Sequence, residues 1–254
     1  MRLKDISTKG VSDLSRKELK LENKQLSKDI VELQTKLMAD KSQSLLVIFQ
    51  GVDASGKDGA LKDVFRAINP AGCKVWSFKK PTPRELSHDF LWRVHQVCPA
   101  AGMIQIFNRS HYEDILVPTV EGFIPKEIID KRYELINDFE KMLEANGTKI
   151  LKFYLHISKE RQEEKLTDRI NNPEKHWKHN DGDWAVRAKW DQYMEVYETI
   201  FDRCNDIPWH IIPADNNKEK ANAISKIVVE TMENMNLEYP ELDSELFTPE
   251  YLSK

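Results

Sequence analysis

The sequence predicts an α/β fold, a three-layer arrangement in which one five-stranded, mainly parallel sheet lies between helices. Three observations carry that reading. Five short apolar runs, at 45–49, 74–78, 102–107, 149–157 and 208–213, alternate with longer stretches of helical period. The first run, Leu45-Leu46-Val47-Ile48-Phe49, passes directly into Gly51-Val52-Asp53-Ala54-Ser55-Gly56-Lys57, after which a helical pattern begins. No Pro or Gly interrupts 13–41, so the first strand is preceded by a helix. The expected division is a helical extension at 1–43, a body at 44–236 containing a helical lid at 159–190, and an acidic tail at 237–254.

In the N-terminal helix, Leu19, Leu26, Ile30, Leu33 and Leu37 form one narrow apolar seam. It lasts under three heptads, so packing against the body is favoured over a coiled coil with a partner. The seam permits a homo-oligomer, dimer or tetramer, without requiring one.

The loop after the first run has the spacing G-x-x-x-x-G-K. Gly51 and Gly56 allow a tight turn in which the backbone through Ala54, Ser55, Gly56, Asp58 and Gly59 faces a phosphate. The following helix adds its positive end, and Lys57 reaches the outer phosphates. Most such loops place Ser or Thr after the Lys to hold Mg²⁺, whereas this chain has Asp58. The hard carboxylate of Asp53 is therefore a candidate to hold the metal or to orient an attacking phosphate.

Downstream, Leu61, Val64, Phe65 and Ile68 mark the buried face of the first body helix, and 69–72 end it. The second strand, at 74–78, leads to Lys79-Lys80-Pro81-Thr82-Pro83, which places two cations where open α/β sheets bind ligands. A helix is expected over 84–97, with Leu86, Phe90, Val94 and Val97 on one face. His88 and His95 lack companions that would complete a metal set. The third strand ends in Asn108-Arg109-Ser110-His111-Tyr112-Glu113-Asp114. Here Asn108 stands where an Asp usually serves Mg²⁺, Arg109 offers a fork to phosphate, and Glu113 and Asp114 supply carboxylates.

Pro125 opens the next helix, whose apolar face comprises Ile128, Ile129, Tyr133, Ile136, Phe139 and Leu143. After the fourth strand, Ser158 caps a helix bearing Arg161, Lys165 and Arg169 on one stripe. An ion-paired exposed helix is the competing reading, since Glu163, Glu164 and Asp168 alternate with them. The polar segment 171–180 has the composition of a mobile lid. Asp183 to Arg203 returns to helix. Asp215, after the fifth strand, is a weak candidate for contact with a base, and 221–235 form the last helix.

Composition excludes several classes. With 254 residues, 40% of them hydrophobic, the chain can bury one substantial core. A net charge of −4 argues against general nucleic-acid binding, although seven acids against Lys254 after position 227 leave the body mildly basic. Cys73, Cys98 and Cys204 have neither disulfide nor zinc spacing, which suits a reducing cytoplasm. No run reaches about 18 apolar residues, so no membrane association is expected.

The ordered set GVDASGKDGALK, SFKKPT, FLWRVH, IFNRSHYEDILV, FYLHIS and NNPEKHWK…WDQY, spread over residues 15–235, closely resembles the polyphosphate kinase 2 family. The resemblance implies a P-loop kinase fold like that of thymidylate kinase and reversible phosphoryl transfer between inorganic polyphosphate and nucleotides. Mg²⁺ is the implied cofactor, with Mn²⁺ as a substitute. The resemblance assigns catalysis to Asp53, Lys57, Arg109, Glu113 and Asp114, and the metal to Asp53, Glu113 and Asp114. Lys79, Lys80, Asn108, Arg169 and Lys178 would contact phosphates or nucleotide. The Asn108 form resembles the subgroup accepting both AMP and ADP; guanine nucleotides are left open. His179 and Asn180 depart from the family's usual aromatic and Ser. The rival readings are an ATP-dependent nucleoside monophosphate kinase and a non-catalytic nucleotide or polyphosphate binder.

Overall fold

The computed structural model describes residues 2–10 and 12–244. The tail residues 245–254 lie outside the described residues. In chain order the elements are α1 (Arg16–Asp40), β1 (Ser44–Gln50), α2 (Lys57–Phe65), β2 (Cys73–Ser77), the single turns α3 (Pro83–Leu86) and α4 (Trp92–His95), and β3 (Ile104–Asn108). They continue with α5 (Glu113–Glu121), α6 (Lys126–Ala145), β4 (Thr148–His156), α7 (Lys159–Asn171), α8 (Asp181–Ala188), α9 (Trp190–Arg203), β5 (Trp209–Pro213) and α10 (Asn217–Glu233).

The five strands expected from the apolar runs form one sheet in the order β2-β3-β1-β4-β5. Every pairing is parallel, so the sheet is wholly rather than mainly parallel. β1 lies at its centre and is buried at all seven positions, which explains its unbroken apolar sequence. Leu45, Val47 and Phe49 share a core with Ile30 and Leu37 of α1, Val64 of α2, and Ile224 and Val228 of α10. The alternate residues Leu46 and Ile48 pack with Phe139 and Leu143 of α6 and Val94 of α4. This alternation gives the three layers. β2 is an edge strand, and its Val75 and Trp76 stand exposed.

Ser15 closes a capping box with Glu18 at the start of α1. The α1 seam packs against the body itself, where Leu19, Ile30 and Leu37 are buried and Asn222 of α10 donates to Glu22 (2.8 Å). The residues ahead of α1 form a strap. Leu3 is buried with its N–H on Glu198 (2.7 Å), Ile6 O meets His156 Nε2 (3.1 Å), and Thr8 Oγ1 donates to Asp215 Oδ2 (2.8 Å). Glu238 N reaches Asp40 Oδ2 (2.9 Å), which ties the start of the acidic segment to the end of α1.

Two local expectations are corrected. The helix expected over 84–97 is two single turns, because Ser87 Oγ closes on Arg84 O (2.7 Å) and Asp89 caps a new turn through Leu91 N (3.0 Å). As a result Leu86 is exposed and only Val94 of the expected face is fully buried. In α6, Ile128 faces solvent, while Pro125 stands at the N-cap. Separately, the polar segment at 171–180 contains a 3₁₀ helix, Pro173–Lys178, capped by the Asn172 side chain. Among the described residues no helix is long and apolar enough to cross a membrane.

Candidate active site

Parallel strands deliver their loops to the carboxyl edge of the sheet, and β1 delivers residues 51–56 there. Two of these residues need positive φ, Gly51 at 144° and Gly56 at 96°, and Ala54 accepts 61° as a non-glycine residue. Gly56 is the N-cap of α2, so the helix's free N–H groups open onto the loop. Lys57 is buried and donates to Gly51 O (2.6 Å) and Val52 O (3.1 Å). Burial, joined by the Arg109 charge, pushes its ammonium down to about 8 against the pull of Asp53, Glu113 and Asp58. Ser55 Oγ is buried without a hydrogen-bond partner, and Gly59 faces open space.

β3 brings the second group. Asn108 Nδ2 donates to Asp58 Oδ1 (2.8 Å), joining the two strand ends, and Arg109 at φ 62° pairs with Asp53. Glu113 and Asp114 open α5. Burial raises the Glu113 carboxyl, while Arg109 and Lys57 oppose that rise. With its amide nitrogen toward Glu113, Gln50 donates to Oε1 at 3.1 Å. Asp114 turns elsewhere, accepting from Arg93 (2.8 Å), which is buried and also holds Lys79 O (2.9 Å). Lys79 and Lys80 are exposed along the rim.

These groups border a cavity of about 610 Å³. Asp53, Arg109, Glu113 and Asp114 line it together with Phe90, Leu116, Pro118, Phe123, Ile124, Val186 and Tyr193, which supply apolar walls. A space lined by both charged groups and apolar walls suits a molecule that carries both, such as a nucleotide.

α7 leans over the loop. Gln162, fully buried, donates to Asp53 O (2.9 Å) and accepts from Arg187 of α8 (3.0 Å). Arg169 pairs with Asp183 (2.6 Å) and donates to Lys178 O (3.2 Å), while Lys178 Nζ lies 3.9 Å from Asp58. The stripe at 161, 165 and 169 is not uniformly ion-paired: Arg161 and Arg169 have carboxylate partners, but Lys165 Nζ is buried with none. Burial pushes Lys165 down to about 8.

Sequence reasoning missed Lys220 of α10. It is 1% exposed and reaches Gly56 O (3.2 Å) and Asn217 Oδ1 (3.1 Å), and burial lowers it to about 8. Both Lys165 and Lys220 approach Gly56, so three incompletely satisfied ammonium groups surround the loop. Arg93, Gln162 and Asp183 were also missed, and only Arg93 lay in a motif singled out by sequence. Asp215, the weak base-contact candidate, is taken up by Thr8 and by Ser158 N (2.9 Å).

Among the described residues, no three or more His, Cys, Asp or Glu side chains could hold a metal by themselves. Asp53 and Glu113 flank Arg109 and Lys57, so this donor set fits a divalent cation that draws its remaining ligands from phosphate and water.

A profile of Polyphosphate kinase 2 (PPK2) matches residues 13–240. The chain is 45% identical over 218 residues to a Meiothermus ruber protein named AMP/ADP-polyphosphate phosphotransferase, spanning 85% of this chain and 82% of that protein. It is 42% identical over 225 residues to an ADP-polyphosphate phosphotransferase of Rhodopseudomonas palustris, spanning 83% and 78%. The crystal structure of Polyphosphate Kinase 2 from Arthrobacter aurescens TC1 superposes with a TM-score of 0.91 at 37% identity, covering 97% of this chain and 89% of that one.

Proposed function

The chain belongs to the polyphosphate kinase 2 family, and we propose that it transfers phosphoryl groups reversibly between inorganic polyphosphate and AMP or ADP. The observation that carries this reading is the convergence of Lys57, Lys165 and Lys220 on one phosphate loop beside a cavity with apolar walls. An extended polyanion requires such a line of charge, whereas one nucleotide's phosphates need less. The 45% identical relative named for both AMP and ADP supports acceptance of both nucleotides.

Phosphoryl transfer asks the protein chiefly for in-line positioning and charge neutralisation. Lys57 and the N-terminus of α2 hold the phosphates at the transfer point. Arg109, kept charged by Glu113 and Asp53 against its own desolvation, neutralises the oxygens of the moving group. Asp53 orients the acceptor phosphate. Asp53 and Glu113, with Asp114 nearby, would hold Mg²⁺, which supplies charge neutralisation when bound. Asn108 and Asp58 brace the two strand ends, and Lys79, Lys80, Arg169 and Lys178 guide the chain of phosphates. The same reading assigns catalysis to 44–236 with its lid at 159–190, adenine nucleotides as substrates, a cytoplasmic site of action and a homo-oligomer.

The deciding experiment incubates the purified protein with Mg²⁺ and AMP, giving long-chain polyphosphate or ATP as donor, and separates the products. ADP followed by ATP from polyphosphate alone is the expected result. Formation of ADP only when ATP is the donor would replace the proposal with a monophosphate kinase, and no transfer from either donor would leave a binding protein.

A further inference from the structure

Behind the site, on the side of the 109–114 segment away from the cavity, lies a closed polar cluster. Glu140 of α6 is 1% exposed, and Lys152 of β4, His111 and Tyr112 are not exposed at all. Glu140 Oε2 accepts from Lys152 Nζ (2.7 Å), and its Oε1 accepts from Tyr112 OH (2.7 Å) and meets His111 Nε2 (3.2 Å). Lys152 also donates to Tyr112 OH (2.9 Å) and to Cys204 O at the end of α9 (3.0 Å). Although burial opposes ionisation, Lys152 and His111 keep the Glu140 carboxyl below its usual range, so it is a carboxylate. Its ammonium partner lies 5.1 Å from the Trp209 ring centroid.

Such a pair is hard to explain by stability, since well-packed apolar residues of similar volume usually serve a core as well or better. Its location offers another reason. His111 and Tyr112 directly precede Glu113 and Asp114 and follow Arg109, whose φ of 62° a non-glycine residue keeps only when its surroundings hold it. The segment therefore carries three buried residues, Ser110, His111 and Tyr112, between charged residues that line the cavity, Arg109 on one side and Glu113 and Asp114 on the other. α6 grips it a second time, through Arg132 donating to Asp114 O.

We propose that Glu140 and Lys152 are positioning residues for phosphoryl transfer: their ion pair clamps His111 and Tyr112 and so fixes Arg109 and Glu113 against the phosphate loop. The inference rests on the proposed function of the site. Lys152 extends the clamp to the end of α9, the helix that contributes Tyr193 and Tyr197 to the cavity. Binding of polyphosphate by Lys57 and α2 lies outside the clamp.

The test compares the wild-type chain with E140M/K152M, which removes both charges without stranding either, and with Tyr112→Phe, which removes only the bridging hydroxyl. Rates with polyphosphate and ADP are measured against each substrate and against Mg²⁺, together with thermal midpoints. For the double variant, in which the buried Tyr112 OH and His111 Nε2 lose their carboxylate partner, the expected result is a folded protein with a modestly lower midpoint, kcat reduced tenfold or more, KM for polyphosphate within about twofold, and a several-fold higher Mg²⁺ requirement. For Tyr112→Phe a smaller loss of kcat, about threefold or more, is expected with KM again held. If the double variant folds and keeps wild-type kcat, the cluster is merely structural. If it does not fold, Tyr112→Phe decides, and wild-type kcat there overturns the inference. A wild-type chain inert toward polyphosphate would sink the functional reading, and this inference with it, before any variant was compared.

Discussion

Replacing Lys220 by Met should stabilise the ligand-free protein and weaken its hold on polyphosphate. The ammonium is 1% exposed and is pushed from 10.5 to about 8 mainly by burial. At about 1.4 kcal/mol for each tenfold change in proton affinity, the charged group costs the folded state about 3 kcal/mol at pH 7. Met keeps most of the volume and loses two hydrogen bonds, to Gly56 O and Asn217 Oδ1, worth about 1 kcal/mol each. The net gain is about 1 kcal/mol, or a rise in melting temperature of about 2–4 °C for a chain of this size. The folded-state value lies below the unfolded one, so stability rises with pH between about 8 and 10.5. The penalty is complete below that window and absent above it, while the two lost hydrogen bonds count at every pH, so the advantage of the variant should vanish near about pH 9 and reverse in favour of the wild type by about pH 10.5. Calorimetric melting at pH 7 and pH 10, with polyphosphate titrations at pH 7, would measure both effects. A variant that melts lower at pH 7, or that binds polyphosphate as tightly as the wild type, would refute the argument that Lys220 is a destabilising ligand group.

Three further outcomes are expected. Asp53→Asn keeps the shape of the Arg109 contact but removes the charge, so kcat should fall about a hundredfold or more while polyphosphate affinity stays within about threefold, as read by product assay and calorimetry. Gly56→Ala forces a side chain onto φ 96° with its Cβ 2.5 Å from Lys220 Nζ, costing about 1–2 kcal/mol in urea unfolding and weakening phosphate binding; an unchanged midpoint would contradict the loop geometry. Bound phosphates should restore the protons that Lys57, Lys165 and Lys220 lose near pH 8, so titrations at pH 8.5 in buffers of different ionisation enthalpy should show uptake of up to about two protons per site. Proton release on binding would contradict that sign.

The elements most legible in the sequence were those whose burial is uniform. β1 is covered on both faces, so its apolar run is continuous and could not be mistaken for a loop, and β4, buried at every position but Lys149, reads as a strand in spite of its two lysines. β2 was legible for a different reason, its turn signals, since most of its side chains are exposed at the sheet edge. The break within 84–97 was hidden because Ser87 and Asp89 act through local hydrogen bonds, which leave the spacing of Leu86, Phe90 and Val94 intact. The phosphate loop was legible because its function constrains contiguous residues. Lys220 was not, because one lysine in a lysine-rich helical turn reads as solvated surface until α10 is packed against α2. The Glu140–Lys152 pair was hidden likewise, since a charge within an apolar period gives no sign of which face it occupies.

The strap ahead of α1 also bears on the order in which the protein is made. Leu3, Ile6 and Thr8 leave the ribosome well before their partners, Glu198, His156 and Asp215, which are synthesised about 150 to 210 residues later. At about 5–20 residues per second, the strap residues wait roughly ten seconds or more before their partners emerge. α1 waits about as long for α10, 200 residues separating Glu22 from Asn222, so the face of α1 that α10 covers stays open over the same interval. Chaperones that recognise nascent apolar helices would meet this seam before α10 covers it, and a change in the strap around Leu3 would act on a late docking step rather than on the earlier formation of the sheet.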